Sequence, residues 1–309
     1  MVKGKLPKIS EIDLIRRIGR WAGRGARRGP FLVLGMGDDC AIYRPRGSRE
    51  DLLFTTDMLI EDVHFRRSTH RPEDVGWKCL ARGLSDIAAM GGEPRFCLVS
   101  LAVADWADER WIERFYNGLL RLARRENTAL AGGDLARAAK TTCDIVVAGA
   151  VPRRGALRRD EARAGDGIYV SGALGGSALG LAAGAGKAWK RHLRPEPRLA
   201  LGRFIREKLR ATAAMDLSDG LSLDLRRMCD ASRLRAEIGP PPIFPGATLE
   251  QALHGGEDYE LLFTAPARMA VPREFAGVPL ARIGCMRRGK PAVLLDGAPL
   301  ASLGWDHFR

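Results

Sequence analysis

The chain lacks most of the features that fix a chemistry at first sight. Aromatic residues make up only 6% of its 309 residues. No apolar run reaches the ~20 residues that span a bilayer, and the opening MVKGKLPKIS carries no apolar signal core. A cytoplasmic protein without a membrane partner is therefore expected. The six cysteines, at positions 40, 79, 97, 143, 229 and 285, form no C-x-x-C pair and have no histidine cluster beside them. That argues against a thiolate zinc site and for buried free thiols. There is no G-x-x-x-x-G-K-[ST] loop, no G-x-G-x-x-G after a strand, no protein-kinase motif set and no G-x-S-x-G elbow.

Basic charge, glycine and apolar runs are plentiful. The net charge is +13, 46% of residues are hydrophobic and 36 are glycine. A basic balance favours anionic ligands. Local arginine clusters stand at Arg24–Arg28 and Arg153–Arg163, but no RNA-binding aromatic signature accompanies them, so no specific nucleic acid is expected. The length and apolar content suit a sizeable core and two domains.

Ser10-Glu11-Ile12-Asp13 has the form of a capping box, and Leu14, Ile15, Ile18 and Trp21 recur at helical spacing, which predicts an amphipathic helix over 10–22. Strands are expected at FLVLGM, LLFTTDMLI, RFCLVSLAV, TALAGGD and CDIVVAGAVP, with helices over about 73–89 and 108–126. The basic, apolar-poor stretch VPRRGALRRDEARAGD marks a boundary between domains at 1–150 and 151–309. Beyond it, GIYVSGALGGSALGLAAG predicts strand, glycine-rich turn and helix, residues 195–210 a helix, AAMDLSDGLSLDLRRMC a strand end and turn feeding a helix, and EQALHGGEDYELLFT a helix, turn and strand. Alternating elements of this kind give an α/β or α+β fold.

The aspartates need explaining. Asp57 falls inside an apolar strand, where an ionised carboxylate is costly unless paired or metal-bound, and Thr55 and Thr56 add hydroxyl oxygens beside it. Asp38 and Asp39 are adjacent on a glycine-flanked turn, so their repulsion would be relieved by a cation. Asp86 reads as mid-helix, Asp134 follows LAGG at a strand exit, and Asp216 and Asp219 flank Leu217-Ser218. Each has a bland alternative: a turn residue, a polar helix face, or, for Asp219, a helix N-cap. Together, repeated small-residue turns bearing aspartate at the ends of apolar elements suit a magnesium-phosphate site. Gly172–Ser177 offers backbone N–H groups at a helix start, either for phosphate or simply as a tight turn.

The motifs GMGDDCA, FTTDML with His64 after it, GLSDIAAMGG, LAGGD, MDLSDGLSLDL, HGGEDYELLF and GWDHF occur in an order that resembles the thiamine-monophosphate kinase family, within the aminoimidazole ribonucleotide synthetase-like ATP-binding superfamily. The resemblance runs from about residue 10 to 308 and implies a two-domain fold with mixed sheets flanked by helices. It implies several Mg2+ ions held by Asp39, Thr55, Thr56, Asp57, Asp86, Asp134, Asp216 and Asp219. It implies ATP contacts from Tyr116, Gly133, Asp134, Arg159 and Ser218, and thiamine monophosphate contacts from His64, Glu257 and Trp305. It also implies a homodimer joined through the N-terminal sheets. The stretch between Cys229 and Gln251 is shorter and more proline-rich than is usual in the family.

The implied reaction needs no catalytic base, because the second pKa of a phosphate acceptor is about 6. Cations must instead offset the repulsion between two polyanions. Three rival readings are another ATP-dependent enzyme of the superfamily, a catalytically dead regulatory homologue, and a basic nucleic-acid-binding protein. The last predicts steeply salt-dependent binding and no magnesium-dependent ATP turnover.

Overall fold

A computed structural model describes residues 10–23 and 29–308; the Arg24–Arg28 cluster lies outside these. The first half contains α1 (Glu11–Gly23), β1 (Leu32–Leu34), β2 (Ala41–Tyr43), β3 (Glu50–Ile60), α2 (Pro72–Ala89), β4 (Glu93–Val103), α3 (Glu109–Arg125), β5 (Ala129–Arg137) and β6 (Thr142–Pro152). The second contains β7 (Gly167–Ser171), α4 (Gly176–Ala183), α5 (Gly186–Leu193), α6 (Leu199–Glu207), β8 (Ala213–Asp216), α7 (Leu221–Ser232), β9 (Arg235–Ile238), α8 (Leu249–His254), β10 (Leu261–Ala265), β11 (Glu274–Phe275), β12 (Val278–Arg287), β13 (Ala292–Leu295) and β14 (Ala298–Pro299). No helix among the described residues is long and apolar enough to cross a membrane.

Two mixed sheets result. The first has six strands in the order β1-β2-β3-β6-β4-β5; β4 and β5 are parallel and the other pairs antiparallel. The second runs β14-β13-β9-β12-β7-β10-β8, with β11 beside β12. Its only parallel pair is β13 with β9.

Helix α2 decides how the halves meet. It starts at Pro72, whose fixed φ suits the first helical turn. Fifteen of its 18 residues are buried, because it packs against β3 and β6 of one sheet and against β8 and β10 of the other. Helix α3 crosses it at backbone contact distance. A Cβ on Gly118 would come within 1.9 Å of the Glu73 carbonyl oxygen, and one on Gly76 within 1.9 Å of the Phe115 carbonyl oxygen. The largest apolar cluster accordingly joins Leu80, Leu84 and Ile87 of α2 to Val147 of β6 and to Ala214, Leu261 and Phe263 of the second half. Strands β7, β8 and β10 are buried along their whole length, covered by this cluster on one face and by a second cluster containing Leu221, Leu225 and Met228 of α7 on the other.

Three expectations change. Strand β5 runs on through Gly132, Gly133 and Asp134, so Asp134 lies within an exposed edge strand and not at its exit. The 195–210 helix narrows to α6, since Pro195 and Pro197 precede it and favour extended backbone. The start of α7 is not capped by Asp219: its N-cap is Gly220, and Asp224 Oδ2 accepts from the Asp219 and Gly220 N–H groups at 3.0 Å each.

Candidate active site

Because α2 has no solvent face, its polar residues point inward. Lys78, Arg82, Ser85 and Asp86, spaced at about one helical turn, reach the loop before β10, β3, β8 and again β3. The Lys78 ammonium lies 2.8 and 2.9 Å from the two Glu257 carboxylate oxygens. The Arg82 guanidinium donates to Asp57 Oδ1 and to the Met58 carbonyl at 3.0 Å each. Ser85 Oγ donates to Asp216 Oδ2 at 2.6 Å, and the Thr55 hydroxyl donates to Asp86. One cavity of about 300 Å³ is lined by Asp57, Arg82, Asp86, Asp216, Ser218, Asp219, Glu257, His64 and Trp305 among others.

Asp39, Asp86 and Asp216 offer carboxylate oxygens within 4.8 Å of one another, the one such group of ligating side chains among the described residues. Asp39 Oδ2 is buried without a hydrogen-bond partner. Burial, reinforced by the mutual repulsion of these and neighbouring aspartates, pushes Asp86 and Asp216 well above the usual carboxylate range. Burial also raises Asp57 and Asp39, opposed by Arg82 and Arg159 respectively. Asp38 is raised to about 7, first by burial and then by Asp39. Arg159 donates from its backbone N–H and Nε to Asp38 at 3.2 Å each, and from its guanidinium to Asp39. Carboxylate oxygens brought together on rigid elements, each resisting ionisation without a counter-charge, are a site suited to a hard cation.

The sequence aligns with known proteins over nearly its whole length. Residues 37–151 match the family model for the AIR synthase related protein N-terminal domain. The chain is 37% identical to the thiamine-monophosphate kinase of Escherichia coli (strain K12), covering 89% of this chain and 92% of that one. Its counterpart in Bacillus subtilis (strain 168) is 35% identical, with 89% and 94% covered. The chain belongs to the thiamine-monophosphate kinase family. It is thus an ATP-dependent phosphotransferase. The solved structure of AaThiL complexed with AMPPCP and TMP superposes with a TM-score of 0.87 at 32% identity, covering 99% of this chain and 100% of that one. HypE, a hydrogenase maturation protein solved with ATP, shares the fold at a TM-score of 0.67 and 19% identity.

Within this family member, the residues singled out by sequence fall into two groups. Asp39, Thr55, Asp57, Asp86, Asp216, Asp219, Ser218 and Arg159 gather around the aspartate cluster, and His64, Glu257 and Trp305 line the same cavity. Thr56, Tyr116, Gly133 and Asp134 stand apart. Thr56 points to the opposite face of β3 from Thr55 and Asp57 and donates to Asp144 Oδ1 at 2.8 Å. Asp134 is exposed on β5, and Tyr116 is half-buried on α3 against the first sheet.

The glycine-rich turn does not present its N–H groups to a ligand. Asp258 accepts from Gly175 N at 2.6 Å and from Ser177 N at 3.0 Å, so an internal carboxylate already fills the anion position at the start of α4. The proline-rich stretch lies against that turn, its Pro242 carbonyl accepting from Leu174 N at 2.8 Å. Glu257 and Tyr259 both adopt positive φ, +64° and +50°, a costly conformation for residues other than glycine. The six cysteines are free thiols, five buried and Cys285 half-buried.

Sequence reasoning passed over Lys78, Arg82 and Ser85. Their signal was present: polar residues at positions i, i+4 and i+7 of an otherwise apolar helix, the inverse of a surface pattern.

Proposed function

We propose that this chain transfers the γ-phosphoryl group of ATP to thiamine monophosphate, giving thiamine diphosphate and ADP, with Mg2+ at the aspartate cluster. The observation that carries this reading is one cavity lined by Asp86, Asp216, His64, Glu257 and Trp305, with the Asp39 carboxylate within 4.8 Å of those of Asp86 and Asp216. Family membership supports it. So does the AaThiL complex, which holds an ATP analogue together with TMP.

Asp39, Asp86 and Asp216 fit divalent metal, with Asp57, Thr55 and Asp219 beside them. Metal bound there would supply positive charge to the phosphate oxygens of both substrates. The chain's own groups then position and shield. Arg159 moves no proton and reaches nucleotide phosphate from beside Asp39. Glu257 and Trp305 orient the acceptor's heteroaromatic rings by hydrogen bonding and stacking. The burial of the cluster in low dielectric strengthens each electrostatic contact. A phosphate oxygen of the acceptor, already ionised at neutral pH, forms the new P–O bond as ADP leaves. No side chain takes a proton, which agrees with His64, a neutral imidazole pushed down to about 3 by burial and by Arg82.

Thr56 and Asp134 enter this reading through a homodimer. Both sit on the exposed face and edge of the first sheet, near exposed Met58 and Leu135. A second copy docked on that face brings them to the nucleotide. The family resemblance alone assigns Tyr116 and Gly133 to ATP.

Incubation with ATP and Mg2+, with either thiamine monophosphate or free thiamine as acceptor, tests the reading. Thiamine diphosphate and ADP should form in equal amounts from the monophosphate only. Product from neither acceptor, or from free thiamine alone, would overturn it.

A further inference from the structure

Lys78 has no part in the metal cluster, yet among the described residues it is one of the largest side chains to be fully buried, at 1% exposure. A lone ammonium there would be very costly. Its partner is Glu257, 179 positions away in sequence, with both carboxylate oxygens within 2.9 Å. The two ends of this pair differ in exposure: the lysine side chain is 1% exposed and the glutamate 25%, where it lines the cavity, and Glu257 Oε1 accepts no hydrogen bond within the protein. The other groups facing Glu257 are His192, whose Nδ1 is 3.5 Å away, and Arg82. His192 is pushed down to about 3 and the adjoining His70 to about 4, each chiefly by burial. Both are neutral, so Lys78, whose ionisation burial opposes and Glu257 supports, is the cation in direct contact with this carboxylate. Burial alone would favour protonated Glu257, but Lys78, helped by Arg82, outweighs it and brings the carboxyl down to about 2.

We propose that Lys78 is a positioning residue for the acceptor: it clamps Glu257 from behind as a fixed carboxylate, with one side left to accept hydrogen bonds from the amino-substituted heteroaromatic ring of the acceptor. The proposal rests on the reading above, in which Glu257 meets thiamine monophosphate. The pair also ties α2 to the loop before β10. The acceptor wall and the Arg82-Ser85-Asp86 stripe are thereby held by a single helix. The positive φ of Glu257 is consistent with a side chain whose direction is imposed by its partner rather than by its own backbone preference.

The test is a kinetic cycle on the intact enzyme with Lys78→Met, Glu257→Gln and the double variant. Lys78→Met should raise KM for thiamine monophosphate about tenfold or more, as expected for loss of a charged hydrogen bond, while KM for ATP stays within about twofold. If Lys78 acts through Glu257, the double variant should show the same acceptor KM as Glu257→Gln alone, not the product of the two effects. The double variant also leaves no unpaired buried charge, so it remains informative if Lys78→Met fails to fold. Multiplicative effects, or equal rises in both KM values, would overturn the proposal. Absence of thiamine monophosphate turnover in the wild-type enzyme would instead sink the underlying function.

Discussion

Asp38, Asp39, Asp57, Asp86 and Asp216 share one property: each is harder to ionise in the folded chain than in the unfolded one, with burial as the first cause. Asp224 is likewise raised to about 7. A carboxyl whose folded pKa is raised contributes stability that is complete below its unfolded value of 3.8 and is lost as pH climbs through the folded value. In chelator, thermal melts should therefore show the melting temperature falling from pH 6.5 to 7.5, above the range where the depressed His64, His70 and His192 act in the opposite sense. Added Mg2+ should remove most of that fall, because cation binding stabilises only the folded, ionised cluster. A metal-free melting temperature that rises over this range would contradict the charge assignment. At this scale the sequence was only partly legible. The isolation of Asp57 in an apolar strand is visible, and so is the spacing of polar residues along the otherwise apolar α2, but that spacing does not say what they meet. Asp86 taken alone fits a polar helix face, and the partner of Lys78 is 179 positions away.

Elements were more legible than side-chain contacts. Long periodic segments such as β3, α2 and α3 lie where hydrophobic alternation and helical spacing place them. The misread places are those where tertiary partners replace local ones. The GGEDYE loop is an example. Asp258 accepts two N–H groups from the start of α4 and faces Arg191, while Glu260 is fully buried against Arg191 and Arg198. A loop that reads as a candidate ligand site is thus partly an internal brace. Asp258→Ala should leave two buried N–H donors unpaired and lower stability by about 3–5 kcal/mol, the scale for breaking a buried charged contact. Urea denaturation checks this, and a change below about 1 kcal/mol would show that the turn is held by other means.

For the whole molecule, the α/β class follows from the alternation of elements, but the packing of two sheets around α2 and the division of the site do not. One chain gathers Asp39, Asp86 and Asp216 and leaves Thr56, Gly133 and Asp134 on an exposed sheet face. The account therefore expects a homodimer. Sedimentation equilibrium should give about twice the 33.7 kDa chain mass, and Leu135→Lys, on the exposed edge strand, should shift the protein towards monomer with loss of turnover. A fully active monomer would remove the second copy from the mechanism.

The central claim is that aspartates hold cations between two phosphates and that no protein group moves a proton. The most direct measurement is thiamine diphosphate formation against Mg2+ concentration for the wild type and for Asp57→Asn. The account predicts a wild-type rate that rises with Mg2+ and a folded variant that forms no product at any Mg2+ concentration. Near-normal turnover by Asp57→Asn in Mg2+ would contradict it.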